Sequence, residues 1–165
     1  MGNKVIITFA GAGGSSKTPI AHYLSCKLNL PIFSNDAIRT EVSEDLSILN
    51  NEEHKKRRDE RLEDIIKTGL SFIYDASVDR EWLNLKQNTK IYDYKIFVIS
   101  LDLSKNFLVS LYKIKGYHED LIDGFISDHE TFLKQYPDAV GLHLSDNEFK
   151  NRLELSYQKV KNWLK

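Results

Sequence analysis

The chain has 165 residues, room for one domain with a continuous core, so a single domain is expected over 1–165. Hydrophobic residues make up 41% and charged residues 28%, a globular balance that excludes a disordered chain. The 23 basic and 24 acidic residues nearly cancel, so no global field points to a nucleic acid or an anionic membrane, and any phosphate recognition has to be local.

In chain order, the first predicted element is a strand over Lys4–Ala10, whose apolar run from Val5 is too short for a signal peptide or a membrane span. It leads straight into a glycine-rich turn. Further strands are predicted over Pro31–Phe33, Ser71–Tyr74, Lys95–Leu101 and Ala139–His143, each apolar almost throughout, as strands of a parallel sheet covered on both faces are. Between the first two, Pro19 sits early in a helix that carries Ile20, Tyr23, Leu24 and Leu28 and is ended by Asn29 and Pro31. A second helix runs from Glu52 to Lys67 and stops at Gly69. Glu52 stands four residues before Lys56 and Glu53 four before Arg57, so the run Lys55-Lys56-Arg57-Arg58 reads as a solvated face rather than a nucleic-acid patch. Leu121, Ile122, Phe125, Ile126, His129, Phe132 and Leu133 form a helical apolar stripe ahead of Pro137. A last helix is expected to open at Asp146 and to carry Phe149, Leu153, Tyr157, Val160 and Leu164.

This alternation, with no internal repeat and no linker, predicts a doubly wound α/β domain with right-handed crossovers and ligands at the carboxyl ends of the strands. The lone Cys26 can form no internal disulfide and the single methionine is Met1, a composition that fits a reducing, cytoplasmic setting.

After the first strand comes Gly11-Ala12-Gly13-Gly14-Ser15-Ser16-Lys17-Thr18, followed by a helix. Small residues let successive amides point at phosphate oxygens, and the helix N-terminus adds its positive dipole. Lys17 would reach the β- and γ-phosphates, and Thr18 would offer its hydroxyl to Mg²⁺. The pattern is G-x-x-x-x-G-K-[ST] with Ser16 in place of the second glycine, at the point where glycine lets the backbone approach phosphate closely. A competing reading is the dinucleotide fingerprint G-x-G-x-x-G. Gly11 and Gly13 fit it and Asp36 falls near the place of a ribose-binding acid, but Lys17-Thr18 would then be accidental.

Asp36 follows the second strand, and Arg39 stands three residues on, in the first turn of the next helix. A carboxylate there can orient an acceptor hydroxyl and take its proton, while the guanidinium grips a phosphate or carboxylate; the plainer reading makes Asp36 a helix cap. Asp75, at the tip of the third strand, can hold the magnesium shell, and Arg80 can add positive charge to the same cleft.

At Gly11 to Thr18, at Asn35-Asp36-Ala37-Ile38-Arg39 and at Tyr74-Asp75-Ala76-Ser77 the chain resembles the P-loop small-molecule kinases of the zeta-toxin, polynucleotide-kinase and AAA-family ATPase group. These look like nucleoside monophosphate kinases. The resemblance covers the first half well and the remainder only in strand order. It implies a three-layer P-loop NTPase fold with a five-stranded parallel core and a short helical lid. It also implies ATP and Mg²⁺ as cofactors, a small-molecule acceptor, Asp36 as the acceptor-activating base and Arg39 as an acceptor contact. Such kinases close an arginine-rich lid over the phosphates. Here no arginine occurs between Arg80 and Arg152, and the corresponding segment, Leu111 to Asp128, offers Lys113, Lys115 and His118, with Gly116 as a hinge. A chain that binds nucleotide with little chemistry is the alternative these departures leave open. His118, His129 and His143 lie in separate elements and read as structural or surface residues. Trp82 and Trp163 fit core edges, and Tyr112 or Tyr117 would be placed to stack on adenine.

Overall fold

The apolar run that begins at Val5 becomes the centre of a sheet. A computed structural model describes residues 4–165, so Met1 lies outside the described residues. In chain order the elements are β1 (Lys4–Ala10), α1 (Lys17–Leu28), β2 (Ile32–Ser34), α2 (Asn35–Leu46), α3 (Asn51–Thr68), β3 (Phe72–Ser77) and α4 (Trp82–Lys90). There follow β4 (Tyr94–Leu101), α5 (Lys105–Lys115), α6 (Ile122–Gln135), β5 (Val140–Leu144) and α7 (Arg152–Trp163). The five strands lie in the order β2-β3-β1-β4-β5, and every pairing is parallel.

Strand side chains alternate between faces, which explains why β1 feeds two cores. Ile7 and Phe9 pack with Ile20 and Leu24 of α1, Leu108 and Tyr112 of α5 and Val160 of α7. Ile6 and Ala10 face the other way, onto Ile38 of α2, Leu62 and Ile66 of α3, Trp82 and Leu85 of α4 and Phe132 of α6. The result is the three-layer α/β arrangement. Ile6, Ile7 and Phe9 are wholly buried, and each such side chain stabilises the fold by about 2 kcal/mol. The loop that follows β1 therefore hangs from the most firmly held strand.

The structure departs from the sequence pattern in three places. The last helix begins at Arg152, not Asp146, after a 3-10 turn over Phe149–Asn151. Asp146 is engaged elsewhere: its carboxylate accepts from the Ser104 amide at 2.9 Å and the Ser104 hydroxyl at 2.6 Å, pinning the start of α5. The stretches Trp82–Lys90 and Lys105–Lys115 are helices that the strand-centred pattern left unassigned. At the sheet edge, β5 is covered less fully than the central strands, with only Leu144 buried.

Candidate functional site

β1 delivers Gly11 to Thr18 to the carboxyl edge of the sheet, and α1 starts at Lys17. Ser16, the residue that replaces a glycine, has φ +79 and ψ +37, so the loop keeps a left-handed turn there with a side chain in place. That conformation costs a non-glycine residue on the order of 1 kcal/mol. Lys17 folds back over the loop, its Nζ donating to the Gly11 carbonyl at 3.0 Å, the Ala12 carbonyl at 2.5 Å and Ser15 Oγ at 3.2 Å. Burial lowers its pKa to about 8, with the Asp79, Asp75 and Asp36 carboxylates offsetting part of the effect. Thr18 hydrogen-bonds to the Asp75 carboxylate, which burial nevertheless raises above the usual range. β3 lies beside β1, and that adjacency brings Asp75 to the loop.

The loop opens into a cleft of about 740 Å³ whose lining includes Gly13 to Thr18, Asn35, Asp36, Arg39, Arg58 and Asp75. A smaller depression of about 430 Å³ between β2, α2 and α3 shares no lining residue with it. Asp36 and Arg39 thus face the same cleft as the glycine-rich loop. The capping role considered for Asp36 belongs to Ser34, whose hydroxyl accepts from the Ala37 amide at 3.3 Å, leaving Asp36 exposed and free of that duty.

Arg58 corrects the reading of the basic run as a solvated face. Lys55 and Lys56 are exposed, but Arg58 is buried, and it falls on the helix stripe His54, Arg58, Leu62, Ile66. Its Nη2 lies 2.7 Å from Asp59 and 3.5 Å from Glu81 as an ion pair yet makes no aligned hydrogen bond; Asn35 Oδ1, also buried in the cleft, has none among the described residues. Arg57 and Arg61 turn the other way. Arg57 binds Glu41 at 2.8 Å and Asp45 at 2.5 Å, and Arg61 binds Glu41 at 2.7 Å, lacing α2 to α3, while Glu53 at 2.7 Å from Arg57 is a pair within α3. Arg80 lines the cleft with its charge matched by Asp128.

The lid segment is two helix ends joined by a turn at Gly116, which has φ +68 and open space around it. Of the three basic candidates only Lys115 lines the cleft, its Nζ donating to the Gly14 carbonyl at 2.6 Å; Lys113 and His118 are exposed and do not line it. Tyr112 is not free to stack on a base: it is buried, and its hydroxyl donates to the Gly13 carbonyl at 2.6 Å. Tyr117 remains exposed at the cleft. Trp82 is more than a core edge, being buried between Phe132 and Tyr136.

A second cluster lay beyond sequence reasoning. Asp79 accepts from the Gly11 amide at 3.0 and 3.3 Å and meets His129 Nδ1 at 3.1 Å; His129 Nε2 lies 2.8 Å from Asp102, which also takes His143 Nδ1 at 2.6 Å. The fold thus unites two histidines that the sequence separates. Burial alone would lower the His129 pKa, but the Asp102 and Asp79 carboxylates outweigh it and raise it from 6.5 to about 9. Burial alone would likewise raise Asp102, whereas bonds from His129, Ser100 and His143 hold it at about 2, below its ordinary 3.8. The stabilisation from His129 is therefore complete below pH 6.5 and lost as pH rises through about 9, and that from Asp102 is complete above 3.8 and lost as pH falls through about 2. Lys17 acts in the opposite sense above about pH 8, so the useful comparison is with a variant. Denaturant unfolding of the wild type and of His129→Phe should show the wild-type advantage shrinking by on the order of 2 kcal/mol from neutral pH to beyond the His129 pKa; a constant difference would refute the charged bridge.

No protein-family model matches the sequence, and no curated protein matches it. Solved structures do. A gluconokinase from Sinorhizobium meliloti 1021 aligns over 99% of this chain and 95% of its own with a TM-score of 0.72 at 10% identity. A sugar kinase from Janibacter sp. HTCC2649 aligns over 98% and 95% with a TM-score of 0.66 at 17% identity, and a shikimate kinase from Bacteroides thetaiotaomicron over 97% and 98% with 0.60 at 16%. The chain has the P-loop small-molecule kinase fold. At these identities the likeness is one of architecture: the parallel five-stranded sheet and its helical layers are common to this fold and those kinases. Among the described residues no helix is long and apolar enough to cross a membrane.

Proposed function

We propose that the chain, acting as one kinase-like domain over 1–165 in the cytoplasm, binds ATP with Mg²⁺ and transfers the γ-phosphoryl group to a hydroxyl of a small-molecule acceptor. The observation that carries this reading is the shared cleft: the phosphate loop with Lys17 on one wall, and Asp36 and Arg39 on the other. Gly13, Gly14 and Ser16 would present amides to the polyphosphate, joined by Ser15 once its amide leaves the Ala12 carbonyl that it donates to at 3.2 Å. Lys17 would move from the loop carbonyls to the bridging phosphates. The Thr18 hydroxyl and the Asp75 carboxylate are hard oxygen donors in mutual contact, a set suited to magnesium, which would neutralise charge developing on the phosphates. Asp36 would accept the acceptor's proton. Arg39, which has no ion-pair partner among the described residues, and Arg58 suit an anionic group on that acceptor, and the unbonded Asn35 Oδ1 suits one of its hydroxyls.

The reading in which nucleotide is bound with little turnover draws on Ser16 at φ +79 and on Lys115, a point charge where an arginine fork is customary. The dinucleotide reading has to treat the Lys17 contacts as incidental. Phosphoryl transfer from ATP to a panel of small hydroxylated acids, sugars and nucleosides, followed by ³¹P NMR, separates the three. The kinase account expects a phosphate ester with at least one acceptor and Mg²⁺ dependence. Thermal stabilisation by ATP without any ester would leave the binding module, and stabilisation by NAD(H) alone would overturn both.

A further inference from the structure

The cluster around His129 does more than tie elements together, because one end of it sits on the phosphate loop. Gly11 gives its amide to Asp79 instead of to a ligand, so the ring of donors open to phosphate begins beyond it. A carboxylate in that position has two opposed effects. It clips the opening limb of the loop to the segment after β3, and it sets a negative charge beside a site shaped for anions. Unneutralised, that charge would repel polyphosphate at short range through a poorly screened medium.

His129 resolves the conflict by geometry. Both of its ring nitrogens face carboxylate oxygens, at 3.1 Å on Asp79 and 2.8 Å on Asp102, so both must donate and the ring carries a positive charge. The side chain is 10% exposed and its ring stacks on Phe132 at 6.5 Å and 20°, which fixes its plane. It belongs to α6, the helix that also lays Phe125 over the loop: a Cβ on Gly13 would meet the Phe125 ring at 2.9 Å. α6 therefore touches the loop twice, once through Phe125 and once through His129 and Asp79.

We propose that His129 is a positioning residue of the phosphate site: it holds Asp79 as a clip on the Gly11 amide and cancels the charge that the clip would otherwise turn against the nucleotide. The effect on nucleotide rests on the kinase reading; the clip itself does not. Equilibrium titration of Mg·ADP is the test, with a cooperative melt required of each variant. His129→Phe keeps the stacking surface and removes the cation, and it should weaken binding about tenfold. Adding Asp79→Asn removes the unpaired charge while leaving an acceptor for Gly11, so the double variant should recover to within about threefold of the wild type. A purely structural histidine would give no such rescue. Unchanged affinity in His129→Phe, or a double variant as weak as the single, overturns the proposal. If His129→Phe does not fold, His129→Gln, neutral but able to donate, takes its place with the same expectations. Hydrogen exchange over residues 9–18 is read in the absence of nucleotide: faster exchange in His129→Phe upholds the clip even where the wild type binds no ADP, and in that case it is the kinase reading that fails.

Discussion

Replacing Lys17 by alanine is expected to lower kcat/KM for ATP by about 10²- to 10³-fold, the usual loss when one preorganised charge is removed from a developing phosphate anion. The same change should leave the nucleotide-free protein as stable as before, or more so. Burial has pushed the Lys17 pKa down to about 8, so near neutral pH the folded state holds an ammonium that water would solvate better. Loss of three hydrogen bonds to the Gly11 and Ala12 carbonyls and Ser15 works against this; all three residues are buried, but Gly11 and Ser15 line the cleft, where water admitted to the vacated space takes over part of the bonding. Paired thermal melts and steady-state kinetics check both halves. A variant with unchanged turnover would remove Lys17 from the mechanism, and a large fall in melting temperature would make it a structural residue.

The second large effect is expected at Asp36. Asp36→Asn should reduce kcat by about 10²- to 10⁴-fold, the range for loss of a positioned general base, with the ATP dissociation constant altered no more than about twofold. The fold should not notice. Asp36 is exposed, Ser34 supplies the helix cap, and the carboxylate's interaction with the α2 dipole is worth only about 0.5 kcal/mol. Single-turnover measurements under saturating ATP isolate the chemical step; equal rates in the two proteins would transfer the role of base to another group in the cleft.

What the sequence disclosed follows the range of the forces involved. The strand, loop and helix from Lys4 to Leu28 are local, so periodicity and glycine spacing sufficed to place them, and the boundaries of β1 agree residue for residue. Asp36 and Arg39 came within reach because β2 ends immediately before them. Asp79, Asp102 and His129 did not, since their meeting depends on a segment after β3, the end of β4 and the middle of α6 converging across the sheet. Arg58 is an intermediate case. Its charge and neighbours suggest solvent, yet its spacing from His54, Leu62 and Ile66 puts it on the buried stripe, a legible signal that points against composition. Asp146, expected to open the last helix, does serve a helix terminus, but that of α5.

The two walls of the cleft are secured by different physics. The wall built by residues 11–18 rests on a strand buried from Val5 to Ala10 and on main-chain hydrogen bonds, whereas α2, which carries Asp36 and Arg39, has only Ile38 and Val42 buried and leans on the Arg57 and Arg61 ion pairs with Glu41 and Asp45. Contacts of the latter kind sit near bulk water and fade as counterions accumulate. On the proposed kinase reading, ionic strength should accordingly act as a selective dial, slackening the grip on the acceptor at concentrations that leave the seat for nucleotide intact.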